Sequence, residues 1–175
     1  MAEQGQEIVK RFLESLGFEV KKIPESDVKT PDYEVYLDGE LVFYCEEKTL
    51  EYDDFLGVKD DPTYNSISSH VHKAVKQFKS INPNRTIPNV IAFVNFDTLK
   101  NVHDLFITLT GHALLDNGQY MKIHRVDRVG NDLDQVDLYL WFDKENFTNL
   151  IWGEVHQDHH QKLSEIIDIK KTEEE

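Results

Sequence analysis

At 175 residues, 39% of them hydrophobic and 11% aromatic, the chain has the size of one domain and enough apolar content for a real core. Its 33 acidic against 19 basic residues give a formal charge of −14, which speaks against broad affinity for nucleic acid, whose phosphates need Lys and Arg. No run nears the roughly 18 apolar residues of a membrane helix, the first five residues lack the basic and apolar parts of a signal peptide, and the single cysteine, Cys45, excludes an internal disulfide, so a cytoplasmic protein with no membrane partner is expected.

Residues 3–16 carry Ile8, Val9, Phe12, Leu13 and Leu16 at helical spacing, with Gly17 as the stop. Residues 18–23 alternate weakly and predict a first strand, ended by Pro24. In residues 30–48 the odd positions Tyr33, Val35, Leu37, Leu41, Phe43 and Cys45 are apolar, while Asp32, Glu34, Glu40, Glu46 and Lys48 fall on even ones. That period of two predicts a hairpin, with Asp38-Gly39 marking its turn. For the odd residues of both strands to share a face, paired positions must sum to an even number, which requires a loop of odd length. A three-residue loop, Leu37-Asp38-Gly39, with Gly39 left-handed meets that condition. In this register Asp32, Glu46 and Lys48 project from one face at the open end of the hairpin, Glu47 has the opposite parity, and Cys45 points inward as a small hydrophobe.

Residues 49–65 are acidic, contain Gly57 and Pro62, and predict a loop. Ser66 or Ser68 then caps a helix of about fourteen residues whose buried stripe is Val71, Ala74, Val75 and Phe78. His72, Lys76 and Lys79 lie on one flank of that stripe, His70 and Gln77 on the other. After Asn82-Pro83-Asn84 and Pro88, residues 90–94 form an unbroken apolar run, the mark of a central strand covered on both faces. Residues 99–115 fit either a helix or a short strand through 105–109. Residues 119–129 and 136–142 predict two strands across a turn at Gly130-Asn131-Asp132, and residues 155–167 a last helix before a charged tail. The order implies a mixed sheet with helices on both faces.

The cations are not spread evenly. Residues 62–96 contain no Asp or Glu but hold Lys73, Lys76, Lys79 and Arg85 with His70 and His72; residues 117–126, likewise free of acids, hold Lys122, His124 and Arg125. These windows suit either solvated surface or contacts to phosphate.

Pro31-Asp32, thirteen intervening residues, then Glu46-Glu47-Lys48 on the following strand resembles the active-site pattern of the PD-(D/E)xK nuclease superfamily, the restriction-endonuclease-like fold. The element order through residue 97 is similar to the common core of that fold, and Gly5-Gln6-Glu7 ahead of Leu16-Gly17-Phe18 looks like the start of its Mrr-like and Holliday-junction-resolvase-like groups. The resemblance implies a single α/β nuclease-like domain: a common core over about residues 5–97, a C-terminal elaboration of hairpin and helix over about 98–169, and an acidic tail at 170–175. It implies Mg²⁺ or Mn²⁺ held by Asp32, Glu46 and the backbone carbonyl of Glu47, with Lys48 orienting a water or stabilising developing charge. Glu7 enters as a third acid only through the resemblance, since the helical wheel sets it opposite the buried stripe. Gln77 and His70 fall where several families of the superfamily put a residue bonded to the catalytic lysine or to substrate phosphate, and Lys73, Lys76, Lys79 and Arg85 are candidates for the nucleic-acid backbone.

The chemistry needs such a set. A hard divalent ion takes oxygen ligands and keeps several waters, so one or two carboxylates and a substrate phosphate hold it. The expected activity is endonucleolytic hydrolysis of nucleic-acid phosphodiester bonds, with DNA the expected substrate; two single-strand cuts need two sites, which suits a homodimer, although no residue shows one. Two rivals stand beside it. One is a non-catalytic scaffold or nucleic-acid-binding subunit of the same fold, favoured by the −14 charge. The other is a metal-dependent hydrolase using His156, His159 and His160, whose spacings of three and four suit a helix-borne metal. No Gly-rich phosphate loop or Gly-x-Ser-x-Gly elbow is present, and Cys45 has no identifiable histidine partner.

Overall fold

The structure, a computed structural model, describes residues 2–52, 62–123, 129–153 and 156–167. Most of the 49–65 loop (residues 53–61), His124 and Arg125 of the second cationic window, residues 154–155 and the tail from 168 lie outside the described residues.

A first helix, α1 (Ala2–Ser15), leads into β1 (Glu19–Lys22) and the hairpin of β2 (Tyr33–Leu37) and β3 (Glu40–Leu50). A long helix, α2 (Pro62–Ile81), crosses to β4 (Asn89–Asn95); α3 (Val102–Thr110), a small ribbon of β5 (His112–Leu114) and β6 (Tyr120–Lys122), and a 3-10 turn at Gly130–Gln135 follow. The chain then forms β7 (Leu138–Asp143), β8 (Asn146–Trp152) and α4 (Gln157–Ile166). Six strands make one mixed sheet in the order β1-β2-β3-β4-β7-β8, parallel where β4 meets β3 and β7 and antiparallel elsewhere.

Both faces of this sheet are covered, which is why β4 is apolar throughout its centre and wholly buried. On one face α1 and α4 bring Ile8, Val9, Leu13 and Leu163 onto Val35, Phe43, Cys45, Val90, Ala92 and Val94. On the other, α2 and α3 bring Ile67, Val71, Phe78 and Leu105 onto Leu50, Ile91, Phe93, Tyr139 and Trp141. Among the described residues no helix is long and apolar enough to cross a membrane.

The hairpin departs from the expected loop in an instructive way. Leu37 pairs with Glu40, so the loop has two residues, Asp38 and Gly39, both at positive φ (51° and 82°), the pattern of a type I′ turn. Such a turn alone gives pairs of odd sum and would put Asp32 and Glu46 on opposite faces. A bulge between the Val35–Phe43 and Tyr36–Leu41 pairs makes Val42 the extra residue, and from there Val35–Phe43 and Tyr33–Cys45 have even sums. Val42 and Phe43, consecutive in sequence, both pack toward α1, as a bulge allows. The even parity inferred from the alternation is present near the site, produced by a bulge and not by an odd loop. Because Gly39 sits in the left-handed region, Gly39→Ala is expected to cost about 1 kcal/mol, read as a lower urea midpoint at unchanged m-value.

Other expectations shift with the tertiary structure. Helix α2 begins at Pro62 and is 20 residues long, where about fourteen were predicted. Residues 102–110 are helical, capped by Asn101 with Asp104 and closed by Gly111 at φ 69°. Among the described residues of 119–129 the predicted pairing with 136–142 is absent: β6 pairs with β5, Gly130–Gln135 is a 3-10 turn, and β7 pairs with β4 and with β8. Residues beyond 97 thus supply two strands of the main sheet, β7 and β8.

Candidate active site

The bulged hairpin brings Asp32 and Glu46 together. The Asp32 N–H donates to Glu46 Oε2 at 3.0 Å, and the Glu47 N–H donates to Asp32 Oδ2 at 2.8 Å. Lys48, two residues along the same strand and on the same face as Glu46, donates from Nζ to Glu46 Oε1 and to Gln77 Oε1, the latter at 3.0 Å. Gln77 Nε2 in turn donates to the Thr30 carbonyl at 2.9 Å. The α2 glutamine therefore clamps the lysine to the chain that enters Asp32.

The opposite face is closed by α1. Gln6 Nε2 donates to Asp32 Oδ1 at 2.8 Å, Lys22 Nζ donates to Gln6 Oε1 at 3.0 Å, and the Tyr33 hydroxyl donates to the Gln6 carbonyl at 2.9 Å. The Glu47 side chain lies on this α1 side, accepting from Thr49 Oγ1 at 2.6 Å. A Cβ at Gly5 would collide with that carboxyl and with Thr49, so Gly5 is what lets the helix approach. The opposed parity of Glu46 and Glu47 is thus realised.

Three carboxyls in one cluster, Glu46 and Glu47 buried and Asp32 half-buried, depress one another's ionisation. Burial raises Glu46 to about 7, opposed by Lys48 and reinforced by Asp32. Burial raises Glu47 to about 8, with the Thr49 bond opposing and Asp32 adding. Asp32 is raised as well, by burial against the pull of the Glu47 N–H and Lys48. An excess of buried oxygen acids over one ammonium is the donor set a hard divalent cation compensates. Among the described residues, however, no group of three or more His, Cys, Asp or Glu side chains is placed to hold a metal ion jointly. Asp32 and Glu46 are the two neighbouring carboxyls here that could share a divalent cation whose other positions are filled by water.

Around Lys48 opens a pocket of about 490 Å³ lined by Lys29, Lys48, Lys73, Lys76 and Gln77. Lys73 and Lys76 thus line the site, whereas Lys79 is exposed on α2 outside that lining. His70 is half-buried on the same helix; burial pushes its pKa down to about 4, helped by Lys48, Lys73 and Lys100, and its buried Nδ1 has no hydrogen-bond partner among the described residues. A histidine held neutral while the unfolded chain titrates near 6.5 takes up fewer protons than the unfolded state between about pH 6.5 and 4. Stability is therefore lost as pH falls through that window. Urea titrations at several pH values are expected to show His70→Gln gaining on the wild type as pH drops from about 6.5 to 4.

Two sequence candidates sit elsewhere. Arg85 is not available to nucleic acid: its side chain is 8% exposed and its guanidinium bonds Asp137 Oδ1 at 2.8 Å. The acid-free window placed it among the surface cations, but its own partner lies 52 residues away on the approach to β7. Glu7 is exposed on α1, as the helical wheel had it, and Gln6 is the α1 residue that touches Asp32. Of the C-terminal histidines, His159 is buried with Nδ1 3.0 Å from Asp137 Oδ1, His156 stacks on its ring, and His160 stacks on Trp152. Gln6, Lys22 and Lys29 were missed. Lys29, two residues before Pro31-Asp32, was the one whose position in the sequence could have flagged it.

The chain matches no family model, no curated protein and no solved structure.

Proposed function

We propose that this chain is a divalent-metal-dependent nuclease of restriction-endonuclease-like architecture, hydrolysing phosphodiester bonds of nucleic acid, DNA in the first instance. The observation that carries it is the Lys48 ammonium, shared between Glu46 and Gln77 beside Asp32, at the wall of a pocket lined by three more lysines. Asp32 and Glu46 would hold Mg²⁺ or Mn²⁺, which supplies Lewis acidity toward a phosphoryl oxygen and a more acidic bound water. Lys48 offers preorganised positive charge where negative charge builds on the phosphoryl oxygens, and Gln77 keeps Nζ from rotating away. Gln6 holds the Asp32 carboxyl against α1. Lys29, Lys73 and Lys76 bind phosphate without reading bases.

A second reading, a non-catalytic nucleic-acid-binding or scaffold protein, draws on a specific observation: all four carboxyl oxygens of Asp32 and Glu46 already accept a hydrogen bond from the protein. Calorimetry separates the two. Mn²⁺ is expected to bind the wild type and to lose measurable binding in Asp32→Ala; undiminished binding in that variant removes the proposed ligands. Supercoiled DNA, single-stranded DNA and RNA are then incubated with the protein and Mg²⁺ or Mn²⁺. Cleavage of at least one is expected, and intact substrates in every tube favour the scaffold.

A further inference from the structure

We propose that a single nucleic-acid strand lies in a lysine-lined trough that crosses the Asp32–Lys48 site and continues on both sides of it, so that the bond presented for hydrolysis is internal to the strand. The inference rests on the nuclease reading for its last clause and on charge and shape for the rest.

Two recesses meet at the site. The first, about 490 Å³, is lined by Lys29, Lys48, Lys73, Lys76 and Gln77. The second, about 330 Å³, is lined by the Thr30-Pro31-Asp32 segment, and its lining also includes Lys22, Lys29 and Gln77. Lys29 and Gln77 border both, so the recesses adjoin at these two residues. The Thr30-Pro31-Asp32 segment is tied to α2: Ser80 Oγ donates to the Lys29 carbonyl at 3.1 Å and Gln77 Nε2 to the Thr30 carbonyl. Lys29 is thereby held at the crest, with its side chain exposed.

Lysines are concentrated at this place. In a chain of net −14, five lysines line the joined trough, facing only Glu25 and Asp32 among the acids of its lining. Among the described residues, none of Lys22, Lys29, Lys73 and Lys76 is in an ion pair. Exposed ammoniums without an ion-pair partner, spread over two adjoining recesses of an acidic protein, match a ligand with negative charges repeated along its length. At about 330 and 490 Å³ the recesses are small-ligand clefts, with room for the backbone groups of one strand and too little for a duplex. Lys22 marks one arm, Lys73 and Lys76 the other, and Lys29 the crossing; a strand that reaches both arms has nucleotides on either side of the phosphate at Lys48.

The test separates binding from cutting. Anisotropy of a labelled single-stranded oligonucleotide is followed with a chelator present, between about 50 and 200 mM salt. Wild type is compared with Lys22→Gln, Lys29→Gln, Lys73→Gln with Lys76→Gln, and Lys162→Gln, an exposed lysine on α4 at the opposite face. Each trough lysine removed is expected to lower the slope of log K against log salt by about 0.7, while Lys162→Gln matches the wild type. Lys22→Gln and Lys29→Gln behaving like Lys162→Gln would overturn the trough, as would competition by polyglutamate equal to that by unlabelled oligonucleotide, or duplex binding tighter than single strand. With Mn²⁺ restored, products released only from strand ends also overturn it. A strand held in both arms yet never cut leaves the trough standing and removes the hydrolase.

Discussion

Asp137→Ala is expected to destabilise the protein by about 3–5 kcal/mol, the usual cost of removing one partner of a buried ion pair. The Asp137 carboxylate is almost wholly buried and serves three donors: the Arg85 guanidinium at 2.8 Å, His159 Nδ1 at 3.0 Å and the Asn89 N–H at 2.9 Å. These come from the turn after α2, from α4 and from the first residue of β4. Arg85 stays enclosed in the variant, with its Nε already lacking a partner, so a positive charge is left in low dielectric with nothing to balance it. For a chain of this length the loss corresponds to roughly 6–20 °C in Tm. Thermal and urea unfolding check it, and Asp137→Asn, which keeps an acceptor but not the charge, is expected to fall between the two. A change within about 0.5 kcal/mol for Asp137→Ala would mean that Arg85 finds water, and that its withdrawal from the surface is weaker than the geometry indicates.

The second large effect is on chemistry. Lys48→Ala is expected to reduce the cleavage rate by about 10²–10³-fold, the range seen when one preorganised charge-stabilising donor is removed. The fold tolerates the change, because Glu46, whose ionisation Lys48 favours, takes up a proton once the ammonium is gone. Loss of activity with an unchanged melting profile excludes unfolding as the cause, and Mn²⁺ binding measured on the same variant separates the amine from a protonated Glu46 that no longer holds metal. Gln77→Ala removes the acceptor that fixes Nζ and is expected to cost less, with the loss falling on kcat because Gln77 acts through Lys48. Lys48→Ala cutting at the wild-type rate would end the nuclease reading of this trio. Both measurements use the substrate that the cleavage panel identifies.

Local regularities carried much of the architecture into the sequence. The stripe of Ile8, Phe12 and Leu13 becomes the inner face of α1, the run at residues 90–94 becomes a strand buried on both faces, and the alternation at residues 33–45 becomes a hairpin with Asp32, Glu46 and Lys48 clustered at its open end. These are period-two and period-3.6 patterns imposed by burial of one face, and they survive whatever the rest of the chain does. Gln77 was legible for the same reason: its flank of α2 follows from the helical wheel once the stripe is known.

What needed the tertiary structure is whatever depends on partners distant in sequence. The loop length at Asp38-Gly39 could not be separated from the bulge at Val42, since an odd loop and an even loop with one extra residue give the same parity at the site. Arg85 reads as a free cation until Asp137, itself bonded to His159, folds against it, and β6 pairs with β5 and not with β7 because β4, whose Val90 lies beside Leu138, supplies a fully buried neighbour from far back in the chain. The sequence by itself determined the faces, the buried stripes and the two acids and amine of the candidate site. Only the tertiary structure decided which lysines surround it, because Lys22, Lys29, Lys73 and Lys76 come from three separate segments, and their convergence is set by strand pairing and helix docking that no local period encodes.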